Sequence, residues 1–174
     1  MADSAATANV LVVTCGGTID KDYPQKSGGY AFEFADPPAV TRVLGRAVPG
    51  FSHTVVAACA KDSLDMTDVD RETLKAMLTA APQRKIVVTH GSDTVADTAR
   101  FVGTVSGKAI VFTCAYTPER FRDSDADFNL GGAFAVASMI REGTLLCVNG
   151  HVFVPEGCEK DSATGLFVGT LASV

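Results

Sequence analysis

The sequence contains no tryptophan, and only 7% of its residues are aromatic. Recognition of nucleic acid through stacked bases therefore has little to build on. The positive surplus that a phosphate backbone calls for is missing as well. The net charge is −5, so neither a nucleic-acid surface nor a polybasic membrane face is expected. No apolar run approaches the length of a membrane span. The first residues, MADSAATAN, have neither the basic nor the apolar region of a signal peptide and are expected to form a short frayed leader to the first strand. None of the five cysteines (Cys15, Cys59, Cys114, Cys147, Cys158) forms a C-x-x-C. Their odd number, and their places near the ends of strand-like runs, suit reduced thiols in a cytosolic protein better than zinc or a disulfide framework.

Signatures of several enzyme classes are absent too. There is no G-x-S-x-G elbow and no G-x-G-x-x-G opening a helix. Residues 103–108 (GTVSGK) have the wrong spacing for a phosphate loop and lack the hydroxyl residue after the lysine. His53, His90 and His151 show no metal-ligand spacing, and His90 reads as an orienting or structural group.

What the chain does have is 174 residues with 47% hydrophobic content, enough for one domain, residues 1–174, with a real core. Residues 9–14 (NVLVVT) read as a first strand, apolar throughout as in a strand covered on both faces. It runs into Cys15-Gly16-Gly17-Thr18, where two glycines permit a tight turn or a close backbone approach. Cys15 could serve as a nucleophile, but its place at the buried end of a strand favours a packing role. Residues 20–33 are polar and aperiodic and read as a loop, with a short hairpin around Ser27-Gly28-Gly29, placed to fold over whatever Thr18 touches. Asp36 then caps a helix with Pro37 in its first turn and Val40, Val43, Leu44 and Val48 as its buried face. A second strand spans 53–60. A polar loop at 61–66 follows, then a helix over 69–80 capped by Thr67 or Asp68 and packed through Val69, Leu74, Met77 and Leu78.

Residues 86–99 (IVVTHGSDTVADTA) hold the clearest strand-to-helix transition. The strand, 85–89, ends at Thr89-His90-Gly91, and a helix follows from Asp93 to about Val105 with Ser92 or Asp93 as its cap. A fourth strand covers 109–114, a charged loop 115–128, and a helix 129–141, with Phe134, Met139 and Ile140 on its apolar face and Gly143 at its end. Asn149-Gly150 between apolar runs at 144–148 and 152–154 signals a hairpin. Alternating strands and helices predict an α/β fold: a three-layer α/β/α sandwich with a mostly parallel sheet, closed by a C-terminal β-hairpin.

In such a sheet the loops after the first three strands share one edge, which brings Thr18, Ser63, Ser92 and Asp93 toward one crevice. Hydroxyls, an aspartate, one or two tyrosines and a lysine suit a threonine or serine nucleophile activated by a neighbouring base. The backbone N–H groups of the glycine turns would serve as oxyanion donors.

Two segments carry a resemblance. TCGGTIDKDY (14–23) and THGSDTVADTA (89–99) are similar to the two signatures of the bacterial-type L-asparaginase/glutaminase family, T-G-G-T-I and H-G-T-D-T-[MLV]-x-x-T-A. Ser63-Leu64-Asp65-Met66 resembles a third, weaker segment, S-x-D-M, and Lys160 falls where the family keeps an active-site lysine. The resemblance implies an amidohydrolase that converts L-asparagine to L-aspartate and ammonia without metal or cofactor. By it, Thr18 is the primary nucleophile, Gly17 contributes to substrate binding as does Ser92, and Tyr23 relays the Thr18 proton, with Tyr30 as the competing tyrosine. Ser63 binds the substrate α-carboxylate, Asp93 the α-ammonium, and Ser92 is a second hydroxyl paired with Lys160 as proton acceptor. It also implies a cytoplasmic homo-oligomer whose partner is the small-molecule substrate, with no nucleic acid and no membrane.

The departures are specific. Ser92 replaces the usual threonine, Cys15 a small residue, and Leu64 a frequent glutamine. The resemblance covers the family's N-terminal domain only. The C-terminal domain, which lends an acidic residue to a neighbour's site, is expected to be absent, with a substitute carboxylate sought in the 115–128 loop. Glutaminase-type activity on another small amide, and a non-catalytic amino-acid-binding module, are the alternatives.

Overall fold

The computed structural model describes residues 9–23 and 31–173. In chain order its elements are β1 (Val10–Gly16), β2 (Lys21–Asp22), β3 (Glu33–Phe34), α1 (Ala39–Ala47), β4 (His53–Lys61), α2 (Asp68–Ala80), β5 (Lys85–Thr89), α3 (Val95–Val102), β6 (Ala109–Thr113), α4 (Ala126–Met139), β7 (Gly143–Val148), β8 (His151–Lys160) and β9 (Phe167–Leu171). Short 3-10 turns occupy Thr18–Asp20 and Ser63–Asp65. The hairpin expected around Ser27 and the alternative tyrosine, Tyr30, lie outside the described residues.

The main sheet has the order β4-β1-β5-β6-β7-β8-β9. Its first five strands are parallel and its last two antiparallel. β1 and β5 are continuous apolar runs because alternate side chains enter two different cores. Leu11, Val13, Ile86 and Val88 face Leu74 and Leu78 of α2 and Val95 and Ala99 of α3. Val10, Val12 and Val87 face the other way, toward Val40 and Val43 of α1 and Leu130 and Ala133 of α4. The three-layer α/β/α sandwich expected from the sequence is therefore the observed one. Its C-terminal hairpin is extended: β8 runs on to Lys160, and the tail adds a third antiparallel strand, β9. The Asn149-Gly150 turn forms as expected, with positive φ at both residues. Among the described residues, no helix is long and apolar enough to cross a membrane.

Several helix ends differ from expectation. Asp36 does not cap α1. Pro37 and Pro38 have no N–H to offer it, and the first free amide, that of Ala39, donates instead to Asp20 Oδ1 at 2.7 Å. Val48 ends α1 in a left-handed conformation and is exposed, so it leaves the buried face. Thr67, not Asp68, caps α2, in a reciprocal capping box with Asp70. Val69 is exposed. Neither Ser92 nor Asp93 caps α3, which begins at Val95 after a turn and ends at Val102, where Gly103 takes a positive φ. α4 starts three residues before its expected position, and its Met139 is exposed. Gly143 opens β7 and donates its N–H to the Lys108 carbonyl at 2.9 Å.

Chain order and strand order together locate a switch point. From β1 the chain crosses to β4 on one side of it, and then to β5 on the other. In open α/β sheets the crevice at such a point is where ligands bind. Here the loops meet backbone to backbone. A Cβ on Gly17 would lie 2.3 Å from the Cα of Gly91, and one on Gly91 would lie 2.6 Å from the Oγ of Ser63. Gly17 also adopts φ 78° and ψ −176°, a conformation open essentially to glycine alone.

Two buried ionisable groups oppose each other near this edge. Burial pushes the Asp20 carboxyl from 3.8 up to about 6, against the lowering effect of the Ala39 amide and Arg42. Burial pulls the His90 imidazole from 6.5 down to about 4, which leaves it neutral. The stability linked to Asp20 is complete below about pH 4 and is lost as pH rises through about 6. That linked to His90 is complete above about pH 6.5 and is lost as pH falls through about 4. Each is on the order of 3 kcal/mol, so the two nearly cancel.

Urea denaturation of Asp20→Asn across this window is expected to show stability rising with pH, where the parent chain is nearly flat. An equally flat variant would show that Asp20 does not carry the opposing linkage. Gly17→Ala and Gly91→Ala are each expected to lose at least about 2 kcal/mol. Gly131→Ala, in α4 with nothing within 4 Å of the added Cβ, is expected to be neutral or to gain up to about 1 kcal/mol. Urea midpoints measured side by side check all three.

Candidate active site

Thr18 follows the glycine pair as the first residue of a 3-10 turn, half-buried. The Gly17 N–H donates to the Lys61 carbonyl at 2.9 Å, which pins this turn to the end of β4. Lys21 donates to Asp62 Oδ2 at 3.0 Å and adds an ion pair between the same two loops. Tyr23, just beyond β2, is 46% exposed, and its ring stacks on Phe121 at 5.7 Å between centroids. Arg120 reaches Asp22 at 3.5 Å, so the loop after β6 leans on this arm at two points.

Ser63 begins the short turn after β4, where Asp62 caps the turn by accepting from Leu64 N–H. The Ser63 side chain is buried beneath Gly91, and its Oγ has no hydrogen-bond partner. Its carbonyl accepts from Thr94 Oγ1 at 2.8 Å, which ties the loop after β4 to the one after β5. Thr89 Oγ1 and His90 Nε2 are likewise buried without a partner. Three of the four such atoms among the described residues therefore sit at this edge of the sheet. His90 Nδ1 lies 2.9 Å from the Gly91 carbonyl, and its backbone N–H donates to Thr113 O. With its basicity suppressed by burial, His90 positions the loop, as expected from the sequence.

Ser92, Asp93 and Lys160 are brought together directly. Lys160 Nζ donates to Ser92 Oγ at 2.9 Å and to Asp93 Oδ1 at 2.6 Å. Ser92 is buried, Asp93 nearly half exposed, and Lys160 lies between. The turn that displaces Ser92 and Asp93 from the cap of α3 is what turns them toward the lysine. The structure thus joins Ser92, Asp93 and Lys160 by hydrogen bonds. Gly17 and Ser63 meet at Gly91, and Thr18 is adjacent to that contact. Tyr23 is set on the exposed outer arm.

Residues that the sequence did not single out support this arrangement. Tyr116, two residues after the strand-like run 109–114, places its ring 5.5 Å from Lys160 Nζ. Its hydroxyl donates to the Gly165 carbonyl at 2.6 Å. Arg100 of α3 donates to the carbonyls of Pro155 and Cys158 and so holds β8 just before Lys160. Asp125 accepts from the N–H groups of Tyr116 and Thr117. Only Tyr116 has a sequence signal, its position shortly after a strand; Arg100 lies within α3 and Asp125 just before α4.

The substitute carboxylate expected from the loop after β6 does not come from the acids with assigned partners. Glu119 is buried between Arg42 and Arg46, Asp127 pairs with Arg46, and Asp125 is used on backbone amides. Among the described residues, no group of three or more His, Cys, Asp or Glu is placed to hold a metal ion. An apolar groove of about 620 Å³ between α1 and α4, lined by Val43, Leu44, Phe51, Leu130 and Phe134, lies among side chains remote from these loops.

Comparisons with known proteins agree with this fold. The chain is 27% identical to a glutaminase-asparaginase of Acinetobacter glutaminasificans over 95% of its own length and 52% of that protein. It superposes on the thermostable L-asparaginase of Thermococcus kodakarensis with a TM-score of 0.81 and 25% identity, covering 92% of this chain and 51% of that one. A probable cytoplasmic L-asparaginase of Campylobacter jejuni shares the fold, with a TM-score of 0.72 at 22% identity over 88% of this chain and 48% of the other. The chain spans about half the length of these relatives. The family model for the asparaginase N-terminal domain matches residues 9–167, and the chain belongs to the asparaginase family.

Proposed function

We propose that the chain is an amidohydrolase that converts the side-chain amide of L-asparagine to L-aspartate and ammonia through an acyl-enzyme on Thr18. The observation that carries the reading is the Lys160 contact to both Ser92 and Asp93, 68 and 67 residues away in sequence. A buried serine hydroxyl hydrogen-bonded to a lysine and set beside the glycine-bound Thr18 turn gives two hydroxyls with distinct surroundings. That is what an activated nucleophile and a proton-handling partner require.

In this reading Thr18 Oγ1 adds to the amide carbon, and its proton passes by way of Tyr23 to the departing ammonia. The C–N bond breaks and an ester to Thr18 remains. Water, assisted by the Ser92–Lys160 pair, then cleaves the ester and frees aspartate. Backbone N–H groups of the glycine turns stabilise the negative oxygen of each tetrahedral state. Asp93 uses Oδ1 for Lys160 and has exposed carboxylate surface for the substrate ammonium. The substrate α-carboxylate supplies the bond that Ser63 Oγ lacks. The same reading makes the protein a cytoplasmic homo-oligomer that needs neither metal nor cofactor, and it treats residues 1–174 as one domain.

Glutamine is the second substrate to weigh. The Acinetobacter relative is named for both amides, and Leu64, exposed beside Ser63, removes a polar side chain at the mouth of the site.

Steady-state ammonia release with asparagine and glutamine side by side tests the reading. Thr18→Ala and Lys160→Met are each expected to lower kcat/KM by about a thousandfold or more with the fold intact by circular dichroism. Full activity in a well-folded Thr18→Ala would remove Thr18 as nucleophile. Amino-acid binding without ammonia release in the parent chain would favour a binding module instead.

A further inference from the structure

Cys15 and Cys59 lie side by side immediately before the Thr18 turn. Cys15 ends the buried run of β1, and Cys59 sits on the edge strand β4 that pairs with it. Both side chains belong to the α2–α3 side of the sheet, Cys15 within that core and Cys59 packed against it. The register is irregular here. Thr14 lies opposite Ala57 but Gly16 lies opposite Lys61, so a bulge in β4 carries Cys59 past Cys15. The Cys59 thiol donates to the Cys15 carbonyl at 3.4 Å, which sets its sulfur against the Cys15 residue. Cys15 falls midway between Thr14 and Gly16, and Cys59 midway between their partners Ala57 and Lys61, so the two lie at the same level of the two strands.

Access is asymmetric. Four of the five cysteines are buried, and Cys59 alone is partly open to solvent. The Cys15 hydrogen bond holds the Cys59 thiol below its ordinary range, helped by Lys61, while the same bond and burial push Cys15 well up. The open sulfur is thus the one that ionises, and the buried one keeps its proton.

We propose that Cys59 and Cys15 form a peroxide-sensitive dithiol that closes to a disulfide between β4 and β1. The Cys59 thiolate attacks one oxygen of hydrogen peroxide and the O–O bond breaks. The departing hydroxide takes a proton to become water, which leaves a sulfenic acid on Cys59. The Cys15 sulfur then attacks the Cys59 sulfur. The S–S bond forms, the S–O bond breaks, and the hydroxyl leaves with the Cys15 proton as a second water. Two thiols are oxidised by two electrons and one peroxide is reduced to two waters. The cross-link falls on the bulge where Gly17 N–H meets Lys61 O, one residue before the glycine pair that sets Thr18. It does not depend on the amidohydrolase reading.

The test is thiol titration and peptide mapping of the full chain after mild hydrogen peroxide, with and without dithiothreitol. The parent is expected to lose two of its five thiols, to lose the mass of two hydrogen atoms and to yield one cross-linked pair of peptides holding Cys15 and Cys59. Dithiothreitol restores both thiols. Cys15→Ser is expected to stop at a sulfenic acid on Cys59 that dimedone traps, and Cys59→Ser to keep its remaining thiols. Oxidation of Cys59 with no link to Cys15 in the parent would overturn the proposal. So would a link between other cysteines, or five intact thiols under conditions that oxidise glutathione.

Discussion

The backbone contact between Gly17 and Gly91 is the constraint on which the site depends. β1 lies at the point where the chain changes sides of the sheet, and the loops leaving β1, β4 and β5 must share one edge. They can do so at this distance only without side chains at the contact, because a Cβ on either glycine would enter the atoms of the next loop. Thr18 follows the first of these glycines and Ser92 the second. Ser63 is closed beneath them. The turns that carry the two hydroxyl residues meet because the two glycines do.

The lysine arrives from the opposite direction. Parallel strands alone would leave Ser92 facing solvent. The antiparallel extension supplies the missing group, because β8 returns across ten residues from the Asn149-Gly150 turn to end at Lys160. Arg100 grips its carbonyls from α3, Tyr116 underlies the ammonium, and Phe167 of β9 packs against the Tyr116 ring. A flexible side chain is thereby held near one geometry. The Asp93 contact adds a charge-assisted hydrogen bond, stronger than a neutral one.

Much of this was legible in the sequence. The apolar runs 9–14 and 85–89 gave the buried strands because burial on both faces leaves a continuous hydrophobic signature. The two glycine-bearing segments marked the loops that meet backbone to backbone, because close approach and positive φ restrict the residue choice severely. What could not be read were interactions between distant parts of the chain. Asp20 caps a helix 19 residues on, a role no local pattern shows, while Asp36 looked like the cap because local rules see only the next few residues. Local rules read Ser92 and Asp93 as caps; the pairing of Ser92 with Lys160 was implied by the family resemblance alone, and the fold adds the contact of Asp93 to the same lysine. The acids of the 115–128 loop had no visible partners in sequence, yet Glu119, Asp125 and Asp127 are committed to arginines and backbone amides. Tyr116 and Arg100 carry no motif, since their task is to place another residue.

The claim that Thr18 is the residue acylated during turnover has one most direct test. The chain is mixed with isotopically labelled L-asparagine, quenched in acid during steady-state turnover and mapped by peptide mass. The account predicts a labelled aspartyl ester on the peptide that contains Thr18. The same label on the peptide containing Ser92, with none at Thr18, would contradict it.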